Sequence, residues 1–286
     1  MSSLPEQLEG ARTLLFVPGN RPERFSKAVA SGADLVIVDL EDAVPAGDKV
    51  AARQATVAWL AAGNACAVRV NARGTDWHED DVAALVGHGC VVVVPKAEEA
   101  GALDQLGSRL TPAACLMALV ETAKGVLATA AIASVPAVRR LAFGSFDLAA
   151  ELGVAPDDPL AMASSRGALA LASAAAGIVP PVDGVSDDVA DSDTLRRDVD
   201  HARRLGFSGK LCIHPRQVAV VHQALRPSDV EVAWAQAVVQ GAGPGGGVAV
   251  VAGRMVDRPV VRRAHRILAA ARSTATHDQD ATAGEL

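Results

Sequence analysis

CLMALVE (residues 115–121) and RRLAFGSFD (139–147) set the reading of the whole chain. Each is a short apolar run that ends on an acid, Glu121 in the first and Asp147 in the second. A run without polar alternation suits a strand covered on both faces, as in a parallel sheet packed under helices. Working outward, the same unit recurs at TLLFVPG (13–19), ADLVIVDLEDAV (33–44), CAVRVN (66–71), CVVVVPK (90–96), PPVDGV (180–185) and GKLCIHP (209–215). Helix-like stretches separate the runs. One opens at Arg21-Pro22-Glu23, where proline suits the first turn because its missing N–H has no intrahelical partner anyway. Others cover 49–62, the alanine-rich stretch after Glu121, and ASSRGALALASAAAG (163–177). Eight such units predict an α/β fold, a closed (β/α)8 TIM barrel. Polar groups at the same end of successive strands then converge on one mouth, where barrels of this kind carry their active sites. Gly144, inside the sixth run, predicts a close backbone approach there.

After the eighth run the pattern changes. The barrel is expected over 1–226, followed by a C-terminal helical arm or lid over 227–272 and a disordered tail over 273–286. The arm begins with a helix from Ser228 to about Gln240 and continues into GAGPGGG (241–247), a glycine run that reads as a hinge. Beyond it, VAVVAGRMVDRPVVRRAHRILAAAR (248–272) reads as a lid or swapped arm, and STATHDQDATAGEL as a polar, frayed end.

Composition bounds the function. With 286 residues and 50% hydrophobic content, the chain can bury one large core. A net charge of −6 argues against general affinity for nucleic acid or anionic membrane, leaving room only for a local basic pocket. No run reaches the roughly 20 apolar residues of a membrane span, and the opening MSSLPEQLEGAR lacks signal-peptide features, so a cytoplasmic location is expected. Cys66, Cys90, Cys115 and Cys212 form no CxxC pair and no zinc spacing, and read as buried thiols. The chain has no tyrosine, so proton transfer falls to carboxylates, histidines, lysines or a cysteine.

The strand ends supply the chemistry. Glu121 and Asp147 end neighbouring strands, and two such carboxylates either cap the following helices or share a divalent cation, with water and substrate oxygens completing an octahedron. Arg69 suits a substrate carboxylate or a developing oxyanion, and equally an ion pair with Asp39 or Glu41; one edge can serve each. Lys96 contacts phosphate or pairs with Glu98. His214 is hydrogen-bonded structure as readily as a proton carrier and is not taken as catalytic. Asp257, in GRMVDRP, reads from its neighbours alone as a surface acid paired to Arg254 or Arg258.

Together these residues resemble the citrate lyase β-subunit-like family of CoA ester lyases, within the wider 2-keto acid aldolase barrels. The matching segments run in order from residue 16 to residue 264: FVPGNRPERFSKA, ADLVIVDLEDAV, VRVNARGTDW, PKAEEA, ALVETAKGVL, FGSFDLAAELG, GFSGKLCIHPRQV and GRMVDRPVVRRA. The resemblance implies a Mg2+-dependent enzyme, with Mn2+ able to substitute. Its reaction would be the reversible Claisen-type cleavage of a 3-hydroxy-3-carboxylate acyl-CoA such as malyl-CoA, citramalyl-CoA or citryl-CoA. The products would be acetyl-CoA or propionyl-CoA and a 2-keto acid.

By the same resemblance Glu121 and Asp147 are the metal ligands, and Arg69 binds the substrate carboxylate and stabilises the enolate. Arg21 and Lys27 help bind the CoA phosphates, with Glu41 and Lys96 beside the substrate. Asp257 becomes the acid/base aspartate, on an arm that covers a neighbouring subunit's site in a homotrimer or a multiple of one. That reverses its surface reading. Many relatives carry Glu-Asp where this chain has Phe146-Asp147, which removes one nearby acid. Competing expectations are an acyl-CoA thioesterase or malate synthase-like activity, a non-CoA pyruvate aldolase, and a non-catalytic thioester-binding subunit.

Overall fold

The computed structural model describes residues 3–242, 249–251 and 254–283. The chain divides into two compact units, Met1–Leu225 and Arg226–Leu286. The first opens with α1 (Leu4–Gly10), β1 (Thr13–Pro18), α2 (Phe25–Val29), β2 (Leu35–Asp39), α3 (Lys49–Ala61) and β3 (Ala67–Arg69). It continues through α4 (His78–Leu85), β4 (Val91–Val94), α5 (Ala100–Arg109), β5 (Cys115–Val120), α6 (Ala123–Ala133) and β6 (Val138–Phe143). The last units are α7 (Ser145–Leu152), α8 (Ala163–Ala176), β7 (Val182–Asp183), α9 (Ser192–Arg204), β8 (Gly209–Cys212) and α10 (Pro215–Ala224). The eight strands are parallel and close in sequence order, β8 pairing with both β7 and β1. The expected (β/α)8 barrel is the observed one.

Side-chain parity along these strands carries the function. On β5, Leu116, Ala118 and Val120 belong to the layer under the helices, while Cys115, Met117 and Leu119 fill the barrel interior. Alternation then aims Glu121, the next residue of the inner set, into the barrel at its C-terminal end. The same counting aims Asp39 inward after Leu35 and Ile37, and Arg69 inward after Ala67. A one-residue slip in any of these strands would turn the polar end group out among the helices.

The runs end earlier than the sequence suggested. β6 stops at Phe143, and Asp147 lies in the first turn of α7 rather than on the strand, because Gly144 (φ −98°, ψ 85°) breaks the extended path. β7 is two residues long, between Pro180-Pro181, which lack donors for the ladder, and Gly184.

The opposite face is closed by α1, whose Leu8 is fully buried against the interior residues. Arg140 fastens this plug. Its Nε donates to the Pro180 carbonyl (2.9 Å), Nη1 to those of Leu8 (2.7 Å) and Ala11 (2.5 Å), and Nη2 to Ser208 Oγ (2.9 Å). Burial pushes its pKa down to about 10, with Asp34 and Glu9 opposing, so the guanidinium stays charged at neutral pH.

The second unit contains α11 (Asp229–Ala242), an antiparallel pair β9 (Ala249–Val251) and β10 (Arg254–Val256), and α12 (Arg258–Ala283). Ala235, Val238, Val256 and Ala264 form its core, and Arg263 stacks over Trp234 at 5.0 Å. The strand pair adds β structure to an arm expected to be helical. The stretch 273–286, expected to be a disordered tail, is helical through Ala283; its alanines favour helix, and no proline or glycine interrupts it before Gly284. Residues 243–247 of the expected glycine hinge lie outside the described residues. Among the described residues no helix is long and apolar enough to cross a membrane.

Replacing Arg140 by methionine leaves the buried carbonyls of Leu8 and Ala11, the Pro180 carbonyl and the Ser208 hydroxyl without this donor. Denaturant unfolding of the full chain is expected to show a loss of about 3 kcal/mol. A change within about 0.5 kcal/mol would show that the plug does not depend on this residue.

Candidate active site

The loop after β2 is held from two sides. The Asp39 carboxylate accepts the Glu41 N–H (2.9 Å) and the Ala43 N–H (3.0 Å), folding the chain back on the strand end. Lys49 Nζ, itself buried, donates to the carbonyls of Leu40 and Glu41, both at 2.7 Å. The two oxygens of Asp39 also receive Arg69 in a fork, from Nε and Nη2 at 2.7 Å each. Nη1 remains for Glu41 Oε2 (3.3 Å) and Asp42 Oδ2 (3.2 Å), and the guanidinium lies 4.9 Å from the Phe16 ring centre. Arg69 is thus ion-paired to the acids of strand two, as expected, and it also lines the open mouth.

Glu121 is held from the opposite wall. Its Oε1 accepts the Lys96 N–H at 2.9 Å, and Lys96 adopts φ +47°, the only positive φ at a non-glycine among the described residues. That left-handed turn is uphill for a lysine, and backbone strain of this kind collects at functional sites. Gly144 fulfils its expected role: a Cβ there would lie 2.5 Å from Glu121 Oε2, so only glycine leaves room for the carboxylate.

Phe16, Asp39, Asp42, Arg69, Glu121 and Asp147 are among the residues lining a cavity of about 390 Å3 at the mouth, a volume suited to a small ligand. Three carboxylates, Asp39, Glu41 and Asp42, pair with the guanidinium, and Glu121 and Asp147 line the same cavity. Burial pushes Glu41 up to about 8; Arg69 opposes, and Asp42, Glu121 and Asp39 add to the rise. Burial likewise pushes Glu121 up to about 7, opposed by the Lys96 N–H and assisted by Asp147. Among the described residues no three His, Cys, Asp or Glu side chains cluster to hold a metal. Glu121 and Asp147 offer two hard oxygen donors, a set matched to a small cation that keeps several waters and substrate oxygens.

The other expected residues fall elsewhere. The Lys96 side chain is exposed, and Glu98 pairs with Lys124 (3.2 Å) instead. Arg21 pairs with Glu23 at 2.8 Å and Lys27 is exposed on α2; neither lines the mouth cavity. His214 caps α10, its Nδ1 accepting the Arg216 N–H at 3.1 Å. Asp257 belongs to the second unit, where its carboxylate accepts the Val260 N–H (3.2 Å) and its carbonyl the Val261 N–H (3.0 Å), the pattern of a helix N-cap. Sequence reasoning missed Lys49. It also missed Asp81, whose Oδ2 takes the Asn71 N–H (2.9 Å) and Nδ2 (2.6 Å) and so fixes the chain beyond β3. The four cysteines are buried and free, as expected.

A parallel (β/α)8 barrel with carboxylates and a fixed arginine at its C-terminal mouth has the layout of the α/β-barrel enzymes. The chain belongs to the HpcH/HpaI aldolase/citrate lyase family, whose model matches residues 12–215, and a model for C–C bond lyases of the TIM-barrel fold matches 171–275. A (3S)-malyl-CoA thioesterase of Cereibacter sphaeroides is 35% identical over 282 residues, covering 95% of this chain and 98% of the relative. A citrate lyase subunit beta-like protein of Mycobacterium tuberculosis is 37% identical over 261 residues, covering 89% and 93%. The crystal structure of CitE from M. tuberculosis with magnesium, acetoacetate and coenzyme A superposes with a TM-score of 0.80 at 35% identity, covering 93% of this chain and 99% of that one. The citrate lyase beta subunit of M. tuberculosis with oxaloacetate and magnesium gives 0.69 at 36% identity, covering 77% and 100%.

A carboxyl whose pKa is raised on folding binds more protons in the folded than in the unfolded state. Stability then falls as pH rises from the ordinary carboxylate range to the raised value, here from about 4.5 to about 7 for Glu121. In metal-free protein, Glu121→Gln is expected to remove on the order of 3 kcal/mol of the stability lost between about pH 5 and about pH 8. Parallel unfolding curves for wild type and variant at both pH values measure it, and identical pH dependence in the two proteins would refute the assignment.

Proposed function

We propose that this chain is a Mg2+-dependent carbon–carbon lyase that reversibly cleaves a 3-hydroxy-3-carboxylate acyl-CoA into acetyl-CoA or propionyl-CoA and a 2-keto acid. Malyl-CoA, citramalyl-CoA and citryl-CoA are the candidate substrates. The observation that carries the reading is one forked arginine with three carboxylates on it, Asp39, Glu41 and Asp42, and two more, Glu121 and Asp147, lining the same mouth cavity, an excess of negative charge that a divalent cation relieves. Glu121 and Asp147 are assigned to hold Mg2+, which when bound acts as a Lewis acid on the oxygens of the keto acid. Family membership and the magnesium complexes of the neighbours named above support that assignment.

The protein groups then divide the work. Asp39 holds the Arg69 guanidinium in a fixed plane, so Nη1 can donate to the thioester oxygen as negative charge develops there. In cleavage the substrate hydroxyl gives its proton to solvent water, the adjacent carbon–carbon bond breaks to leave the keto-acid carbonyl, and the electron pair of that bond passes into the thioester enolate. Asp257 is assigned to return a proton to the enolate carbon, and to remove one in the condensation direction. It is carried on the C-terminal unit, proposed to act as an arm that completes a neighbouring subunit's site in a homotrimer or multiple of one and excludes water on closure. Arg21, Lys27, Glu41 and Lys96 are assigned to the CoA and substrate contacts on the strength of the family motifs.

Thioester hydrolysis is the second reading, favoured by the 35% identity to a (3S)-malyl-CoA thioesterase along nearly the full chain. Keto-acid and thiol release from the three CoA esters, with and without Mg2+, separate the two. The lyase reading expects metal-dependent glyoxylate, pyruvate or oxaloacetate without thiol, and a fall of roughly 10²-fold or more in kcat for Arg69→Lys. Thiol release without keto acid would make the enzyme a thioesterase.

A further inference from the structure

A second cavity, of about 430 Å3, opens beside the mouth, and Ser145, Phe146 and Val185 line both. Its buried wall is cationic. Asp183 on β7 receives Arg166 Nε on one oxygen and Lys210 Nζ on the other, both at 2.8 Å, and all three residues are at least nine-tenths buried. Burial raises the Asp183 pKa, yet Lys210 and Arg166 outweigh it and hold the carboxyl below its ordinary range. Two cations and one anion leave this triad with a net charge of +1, buried except at the Arg166 guanidinium, whose side chain is 10% exposed.

The donors left over belong to side chains lining the cavity. Arg166 uses only Nε; neither Nη1 nor Nη2 has a hydrogen-bond partner among the described residues. His201 Nε2 is buried without one, and His201 lines the same cavity. Asp157, Asp187 and Asp188 also line it and are solvent-exposed, as is Arg197, while Asp198, half-buried on the same wall, accepts the Ser186 hydroxyl at 2.6 Å. Exposed charges are screened within about 10 Å at ordinary ionic strength, whereas the buried triad acts through a low dielectric. The unpartnered Nη edge of Arg166, backed by Lys210, is therefore the cationic face that this cavity offers, and among the described residues Asp198 is the one cavity-lining acid that is not exposed.

We propose that this cavity is a second ligand site, which takes the oxyanion group of a small molecule, a carboxylate or a phosphate, on Arg166 and Lys210. Two contacts couple it to the mouth. Phe146 is a shared wall, and the Arg166 guanidinium stacks at 5.0 Å on Phe143, which lines the mouth cavity. An occupant would thus be felt where the Glu121 and Asp147 carboxylates lie.

The triad provides its own controls. Arg166→Gln leaves Asp183 paired with Lys210, and Lys210→Met leaves it paired with Arg166, so each variant keeps a neutral buried pair while losing the excess charge. Calorimetric titration of metal-free, full-length protein with acetate, malonate and inorganic phosphate is the test, with circular dichroism and thermal unfolding confirming the fold of each variant. The expected result is saturable binding of at least one probe, weakened tenfold or more in both variants and retained in Arg69→Lys, with the tightest probe identifying the oxyanion type. Binding that survives in Arg166→Gln and disappears in Arg69→Lys would assign the anion to the mouth, and no binding of any probe to folded wild-type protein would likewise overturn the proposal.

Discussion

The fork between Arg69 and Asp39 is the constraint on which the mouth depends. Asp39 accepts four donors at once: two from the guanidinium and two from the backbone of the loop that follows. Those bonds bring Glu41 and Asp42 onto the free edge of the same arginine, and Lys49 secures the loop from behind through the Leu40 and Glu41 carbonyls. A buried charge of either sign is costly alone; here each is stabilised by the other, and their geometry is set by the register of β2 against β3, which places Asp39 beside Arg69. The barrel thus converts a strand register into the orientation of a guanidinium plane.

On the far side of the cavity the backbone does the corresponding work for Glu121. Gly144, one residue past the Val120–Phe143 pair, donates its N–H to the Val120 carbonyl, its missing side chain makes room for the carboxylate, and the left-handed turn at Lys96 aims an N–H at it. One backbone donor does not neutralise a buried carboxylate standing near Asp147 and Asp42, and the acid is pushed up to about 7 as a result. A site in this condition is poised between proton and cation. The proposed metal replaces the proton, which links the chemistry assigned to the barrel with the electrostatic frustration built into it.

Much of this was legible in the sequence because it follows from periodicity. Continuous apolar runs gave the strands, and the residue after each run gave Glu121, Asp39 and Arg69, since parity along a strand fixes where the next side chain points. Gly144 was legible for the same reason. The residues that set geometry from outside the strands were not: Lys49 and Asp81 act through backbone carbonyls and amides of loops, and nothing in a linear pattern marks a lysine that bonds to carbonyls rather than water. Asp147 was read as a strand end because its run continues apolar through Phe146, and only the turn at Gly144 puts it on a helix. The Arg166, Asp183 and Lys210 triad was invisible for another reason. Its members come from three separate elements, and the charge excess exists only once they are packed together.

In the proposed enzyme a proton and a divalent cation compete for the mouth carboxylates. Calorimetric titration of metal-free protein with Mg2+ across pH 6 to 8, in buffers of differing ionisation heat, tests this directly. Binding is predicted to tighten as pH rises through about 7 and to release protons into the buffer near that pH. Affinity that does not change over this range, with no proton released, would contradict it.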